Sequence, residues 1–335
     1  MSSPLNLALQ GGGAHGAFTW GVLDALLEDG SFEFEGVSGT SAGAMNALCL
    51  AHGLMTGGRD GAREALAGFW TALAGQSPFT PPAEAAGGMA PALKLMLQWT
   101  THLSPEQINP FDLNPLRDVL QERFDFARLR RDCPVKLFIA ATNANSGKLR
   151  LFRNHELSVD TLLASACLPT IHRTVTIDGE PYWDGGYSAN PAVFPLLYDC
   201  TATDILLILL TPLRYSETPA SAADIKRRLG ELAFNSTFLR EMRMFAHMRE
   251  QIGNTWLPEW LPLGRFERRV GRLRFHAITG DDLLGQMPAE SKLAVNLPFF
   301  ERLRDQGREH AHRWLAVNRA QVGRSATLDL MKLFY

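Results

Sequence analysis

Ser41 stands in Gly39-Thr40-Ser41-Ala42-Gly43, directly after a short apolar run and directly before a helical pattern. In that strand–turn–helix context a serine is presented on a tight, strained turn as a nucleophile. Glycines flank it because a Cβ at either position would meet the neighbouring strand or helix. The helix read over Ala42–His52 then offers free N–H groups and its dipole to a developing negative charge. The competing reading is a plain helix cap in a turn of small residues.

A second cluster precedes it. Gly11-Gly12-Gly13-Ala14-His15-Gly16 closes a first apolar strand and opens a helix. Its Gly11-x-Gly13-x-x-Gly16 spacing matches a dinucleotide-binding fingerprint, which also needs an acidic residue about twenty positions on, at the C-terminal end of the second strand. Glu33 and Glu35 are at that distance but precede the apolar Gly36-Val37, so they lie at the wrong end of the strand. The nucleotide reading fails on position. An oxyanion hole fits better: the main-chain N–H groups of Gly11, Gly12 and Gly13 converge without side chains in the way, and the amide of Ala42 joins them. One such donor is worth about 3 kcal/mol of barrier. A tight turn with no chemical role is the alternative.

A serine hydroxyl needs a base. The histidines are poorly placed. His52 closes a helix, His155 is in a polar loop, and His247, His310 and His312 lie in arginine-rich helical stretches. His15, in the glycine loop, and His172, in Leu168-Pro169-Thr170-Ile171-His172, read as structural or substrate-contacting residues. Asp184-Gly185-Gly186 ends the strand containing Tyr182-Trp183, where two glycines turn the chain sharply. An aspartate before two glycines commonly forms a turn; desolvated beside a serine, it is instead a general base with a raised pKa.

The elements that must position these groups are legible as well. Short apolar runs at Leu5–Leu9, Gly36–Gly39, Val135–Ala141 and Ile205–Leu210 alternate with helical patterns at Ala14–Glu28, Ala42–His52, Ala62–Ala74 and Val159–Ala166. That rhythm predicts a mostly parallel sheet covered on both faces, with sites at the C-terminal ends of its strands. Thr174–Trp183, split by Asp178-Gly179, predicts a hairpin. Residues 77–115, proline-rich around the apolar Ala90–Trp99, read as an insertion of the kind that forms lids or binding loops. From Ser216 the chain turns to arginine-rich helix, with eleven Lys/Arg against five Asp/Glu between Lys226 and Arg274.

The three motifs, in this order, resemble the patatin-like phospholipase family. Ala164-Ser165-Ala166-Cys167-Leu168-Pro169 and Asn190-Pro191 are similar to segments flanking that family's aspartate. The resemblance covers residues 5–215, and the stretch Phe234–Met242 is similar to the C-terminal extension of one bacterial branch. It implies a three-layer α/β/α fold with a mostly parallel central sheet, a catalytic domain over 1–215 and a largely helical C-terminal extension over 216–335 packed on it. It further implies lipid acyl hydrolysis by a Ser41–Asp184 dyad with Gly11, Gly12 and Gly13 as oxyanion donors, and no metal, cofactor or catalytic histidine. Gly39, Gly43, Gly185 and Gly186 are then the elbow and turn glycines. Two positions depart from the family. His15 stands where an Arg or Lys is often found, and His172-Arg173 where apolar or aromatic residues are commoner.

Composition bounds the remaining classes. The chain has 335 residues and a net charge of −2, which does not suggest nucleic-acid binding. Cys49, Cys133, Cys167 and Cys200 show no metal-ligand spacing and read as reduced thiols. With no basic-then-apolar leader and no stretch long enough to span a bilayer, the expectation is a cytoplasmic protein, at most a peripheral one. Tryptophans among leucines at Ala90–Trp99 and Trp256–Leu261, with arginines at 265, 268, 269, 272 and 274, are the candidates for contact with a lipid surface. The reading is a serine acyl hydrolase of lipid esters. The alternatives are a polyester or thioester hydrolase, a non-catalytic lipid-binding scaffold, and last a nucleotide-binding module.

Overall fold

The structure is a computed structural model that describes residues 3–76, 104–109, 111–215, 217–253 and 264–335. Residues 77–103 and 110 of the expected insertion, with Ala90–Trp99 among them, and Trp256–Leu261 lie outside the described residues.

Among the described residues eight strands form one sheet: β1 (Ser3–Leu9), β2 (Phe32–Thr40), β3 (Lys136–Asn143), β4 (Leu149–Arg153), β5 (Val175–Ile177), β6 (Glu180–Asp184), β7 (Asp204–Leu209) and β8 (Arg274–Thr279). Their order is β5-β6-β3-β2-β1-β7-β8, with β4 also paired to β3. The run β3-β2-β1-β7-β8 is parallel, and β4, β5 and β6 join antiparallel. The period of two along a strand divides its side chains between two cores. In β7, Leu206 and Ile208 enter one apolar cluster, while Ile205, Leu207 and Leu209 enter the other.

Helices cover both faces, as a largely parallel sheet requires. On the first lie α1 (Gly16–Asp29), α2 (Ala42–Gly75), α3 (Val159–Ser165) and, from the end of the chain, α7 (Leu297–Asn318). On the second lie α4 (Phe194–Asp199), α5 (Ala222–Gly253), α6 (Arg265–Arg272) and α8 (Leu330–Phe334). This is the expected α/β/α arrangement. The helices expected at Ala42–His52 and Ala62–Ala74 are the two arms of α2, broken where Gly57 and Gly58 leave helical geometry. Helices α1 and α7 cross so closely that a Cβ at Gly21 would meet the backbone of Arg304, and one at Gly307 that of Phe18. Among the described residues no helix is long and apolar enough to cross a membrane.

β8 departs from the helical expectation for the arginine-rich region. Arg274 and His276 break the apolar run of Arg274–Thr279, yet their partner is Asp204 on neighbouring β7. Arg274 Nε donates to both carboxylate oxygens at 3.0 Å, and His276 Nε2 lies 3.0 Å from Oδ1. Burial alone would raise the Asp204 pKa, but these bonds and the Gly323 N–H hold it well below the ordinary range. A satisfied buried charge cluster therefore stands inside a strand that periodicity alone reads as polar.

Candidate active site

Strand register brings the three motifs to one edge. Leu9 pairs with Gly39 and Thr40 with Ala140, so the chain leaving β1 runs beside the chain leaving β2. Ala141, the next residue of β3, pairs with Asp184, the last residue of antiparallel β6. Ser41, the glycine loop and Asp184 thus meet across β3, β2 and β1, at the C-terminal ends of the parallel strands.

Ser41 has φ 53° and ψ −121°, a left-handed backbone unusual for serine. Its surroundings hold it there. The Ser41 N–H donates to Ser165 Oγ at 3.0 Å, and its carbonyl accepts from Ala44 and Met45 at the start of α2. Thr40 Oγ1 donates to the Ala189 carbonyl at 2.8 Å. The flanking glycines are there for space. A Cβ on Gly39 would sit 2.6 Å from the Gly43 carbonyl oxygen, and one on Gly43 would collide with the Leu9 carbonyl. Gly43→Ala is therefore expected to cost more than about 3 kcal/mol of stability or to prevent folding. Gly230→Ala, on exposed helix with nothing within 4 Å of an added Cβ, should be neutral or stabilising by about 0.5–1 kcal/mol. Thermal melts of the two variants compare them directly.

The glycine loop packs against Ser41: a Cβ on Gly11 would lie 2.9 Å from the Ser41 Cβ. Gly13 takes φ +58°, and a Cβ there would meet the Lys292 carbonyl. The three amides are not equivalent, which departs from the expectation of a uniform trio. Gly11 N–H donates to Asn190 Oδ1 at 2.7 Å, so it is already spent. The N–H groups of Gly12, Gly13 and Ala42 have no acceptor among the described residues.

Asp184 is buried, at 1 % exposure. Burial pushes its pKa up to about 6, while the Gly186 N–H, which donates to Oδ1 at 2.7 Å, and the nearby Ser41 side chain act to lower it. Its main chain is fixed too: its N–H donates to the Cys167 carbonyl at 2.7 Å and its carbonyl accepts from Thr142 Oγ1 at 2.8 Å. A Cβ on Gly185 would meet the Ala140 carbonyl, and one on Gly186 the ring of Phe234. The arrangement is a strained hydroxyl against a desolvated carboxyl, with unengaged amides alongside.

The histidines near the motifs are engaged elsewhere. His15 Nε2 lies 2.7 Å from Ser291 Oγ, whose proton goes to the Pro288 carbonyl at 2.6 Å. His15 therefore donates through Nε2 and keeps its lone pair on Nδ1, which is buried without a partner. Burial and then the charge of Lys292 lower its pKa to about 3, which makes it a very weak base. His172 Nδ1 accepts from the Leu168 N–H at 3.2 Å, and burial lowers its pKa.

Of the five arginines singled out, two have structural duties. Arg269 donates to the carbonyls of Leu197, Cys200 and Thr201, and Arg274 pairs with Asp204. Arg265, Arg268 and Arg272 are exposed. The four cysteines are unpaired. Sequence reasoning did not reach Ser165 and Thr40 as supports of the turn, nor Asn190 as the acceptor for Gly11. The signal available was the polar character of each beside an otherwise apolar segment.

A family model described as Patatin-like phospholipase matches residues 7–197. Among solved structures the chain is similar to VipD from Legionella pneumophila, at 14% identity over 94% of this chain and 67% of that one, with a TM-score of 0.39. No curated protein matches the chain.

Proposed function

We propose that this chain, which belongs to the patatin-like phospholipase family, is a serine hydrolase of lipid esters working through an acyl-enzyme. Lipid acyl hydrolysis is the activity that family membership supports. The dyad and the oxyanion donors are our assignment.

In the proposed cycle Asp184 takes the proton of Ser41 as Oγ attacks the acyl carbonyl carbon. The resulting oxyanion accepts from the N–H groups of Gly12, Gly13 and Ala42, and the N-terminus of α2 adds its dipole. Gly11, whose amide is engaged by Asn190, sets the turn that aims the other two. Protonated Asp184 then gives its proton to the departing alkoxide, leaving the acyl group on Ser41. A water molecule enters, Asp184 takes its proton, and attack on the acyl carbon releases the fatty acid and returns the proton to Ser41. The observation that carries this reading is the Ser41 backbone at φ 53°, on a turn that strand register brings beside the buried Asp184 carboxyl, whose pKa burial raises.

The base must be ionised to work. With its pKa at about 6, Asp184 is protonated below that value and competent above it. The expected kcat/KM therefore falls about tenfold per pH unit below pH 6 and is level above. Hydrolysis of a medium-chain chromogenic ester between pH 4.5 and 8 measures this; a flat profile down to pH 4.5 contradicts the assignment. The same ester and mixed phospholipid vesicles, offered to the wild type, test the reading as a whole. Release of fatty acid supports it, and no turnover on either substrate removes it in favour of a polyester or thioester hydrolase or a non-catalytic lipid-binding protein.

A further inference from the structure

The glycine loop is anchored from outside the segment that the family model matches. Gln10, fully buried, sits between the end of β1 and Gly11. Its Oε1 accepts from the Leu210 and Thr211 N–H groups at 2.6 and 2.9 Å, just beyond β7. Its Nε2 donates to the Asn190 carbonyl and to Asn235 Oδ1, each at 3.3 Å. Both lone pairs and both hydrogens of the amide are thus used, and the two N–H donors facing Oε1 fix which way it points. Asn190 in turn accepts the Gly11 N–H through its own side chain. The chain of contacts runs Asn235, Gln10, Asn190, Gly11, and all three side chains are buried.

Asn235 lies on α5, beyond the matched residues 7–197. The residue before it reaches the other half of the site: Phe234 packs on Tyr187 with ring centroids 4.5 Å apart and closes over Gly186. We infer that Asn235 is a positioning residue for the oxyanion loop, acting through Gln10 and Asn190, so that α5 is a working part of the site. The inference rests on the acyl-transfer reading above. Without the Asn235 acceptor, one Gln10 N–H is left buried and unpaired. The amide then turns toward another acceptor, the Asn190 loop follows, and the amides of Gly12 and Gly13 lose their aim. Misplacement of about 1 Å at such a site costs about a hundredfold in rate.

The test compares Asn235→Leu, which removes the acceptor at similar volume, with Asn235→Asp, which keeps it. Phe238→Leu serves as a control that loosens the buried face of α5 without touching the amide network. Each is read by kcat and KM on a medium-chain chromogenic ester, by the rate of covalent labelling at Ser41 with a fluorophosphonate, and by thermal melt. Asn235→Leu should lose about ten- to a hundredfold in both kcat and labelling rate. Its KM should stay within about threefold of wild type, and Asn235→Asp should keep most of the rate. Should Asn235→Leu not fold, Asn235→Ala removes the same acceptor and is read on the same scale. A folded Asn235→Leu that labels and turns over at the wild-type rate overturns the inference. So does a rate loss that Phe238→Leu reproduces at equal loss of stability. Labelling of the wild type reports on acyl transfer alone: a wild type unlabelled at Ser41 overturns both readings.

Discussion

Ser41→Ala should lower ester turnover about ten-thousandfold or more and abolish fluorophosphonate labelling, while the protein stays folded. The size of the effect follows from the absence of a substitute. The hydroxyl that would attack is held at one point by backbone bonds that do not involve its side chain: the Ser41 N–H to Ser165 and the carbonyl to Ala44 and Met45. Alanine keeps all of these and the same left-handed backbone, so the turn survives and only the nucleophile is lost. What remains is binding and the oxyanion donors, which by themselves leave a small residual rate. The circular-dichroism melt of the variant should lie within a few degrees of wild type, which separates loss of chemistry from loss of fold. A Ser41→Ala protein that hydrolyses ester at an undiminished rate would remove Ser41 from the mechanism.

Asp184→Asn is expected to act in two directions at once. Asparagine cannot take the Ser41 proton, so turnover should fall by about ten-thousandfold, the scale seen when a dyad or triad carboxylate is neutralised. Stability should rise. The folded protein holds the Asp184 proton more tightly than an unfolded chain does, because burial raises the pKa from 3.8 to about 6. For a carboxyl raised in this way, the stabilising contribution is complete at pH below the ordinary value and is lost as pH climbs through the folded value. Above pH 6 the wild type carries a buried charge whose penalty is on the order of 3 kcal/mol, and asparagine removes most of it. Denaturant unfolding at pH 8 should therefore favour the variant by about 1–3 kcal/mol, with the gap closing near pH 4. A gain that is the same at pH 4 and pH 8 would mean that ionisation of Asp184 is not its source.

The parts of this site that could be read from sequence are those where geometry demands particular residues locally. Gly39 and Gly43 announce the elbow because no other residue fits between a strand and the helix that follows it. The Ile/Leu run of β7 announces a central strand because both of its faces are buried. β8 escaped because the groups that make it look polar, Arg274 and His276, are answered by Asp204, which is 70 and 72 residues away in sequence. The engagement of Gly11 by Asn190 and the bond between Gln10 and Asn235 were hidden for the same reason, the latter spanning 225 positions. A side chain's partner across the fold leaves no trace in its own neighbourhood. His15 shows the converse: its place in the glycine loop leaves a structural and a substrate-contacting role open, and burial and its bond to Ser291 favour the structural one.

The sheet order has a consequence for how this protein can be inherited. The family signature ends at 197, yet β1, which carries the glycine loop, has β7 as one of its two neighbours, and β7 in turn pairs with β8. A gene fragment stopping at the end of the signature would leave the central strand of the sheet with an open row of unpaired N–H and C=O groups, a template for aggregation. The chemistry and the unit that folds are therefore different lengths of chain. Recombination that moves the motifs without the strands and helices after them transfers the proposed catalytic residues but not the sheet that holds them in place.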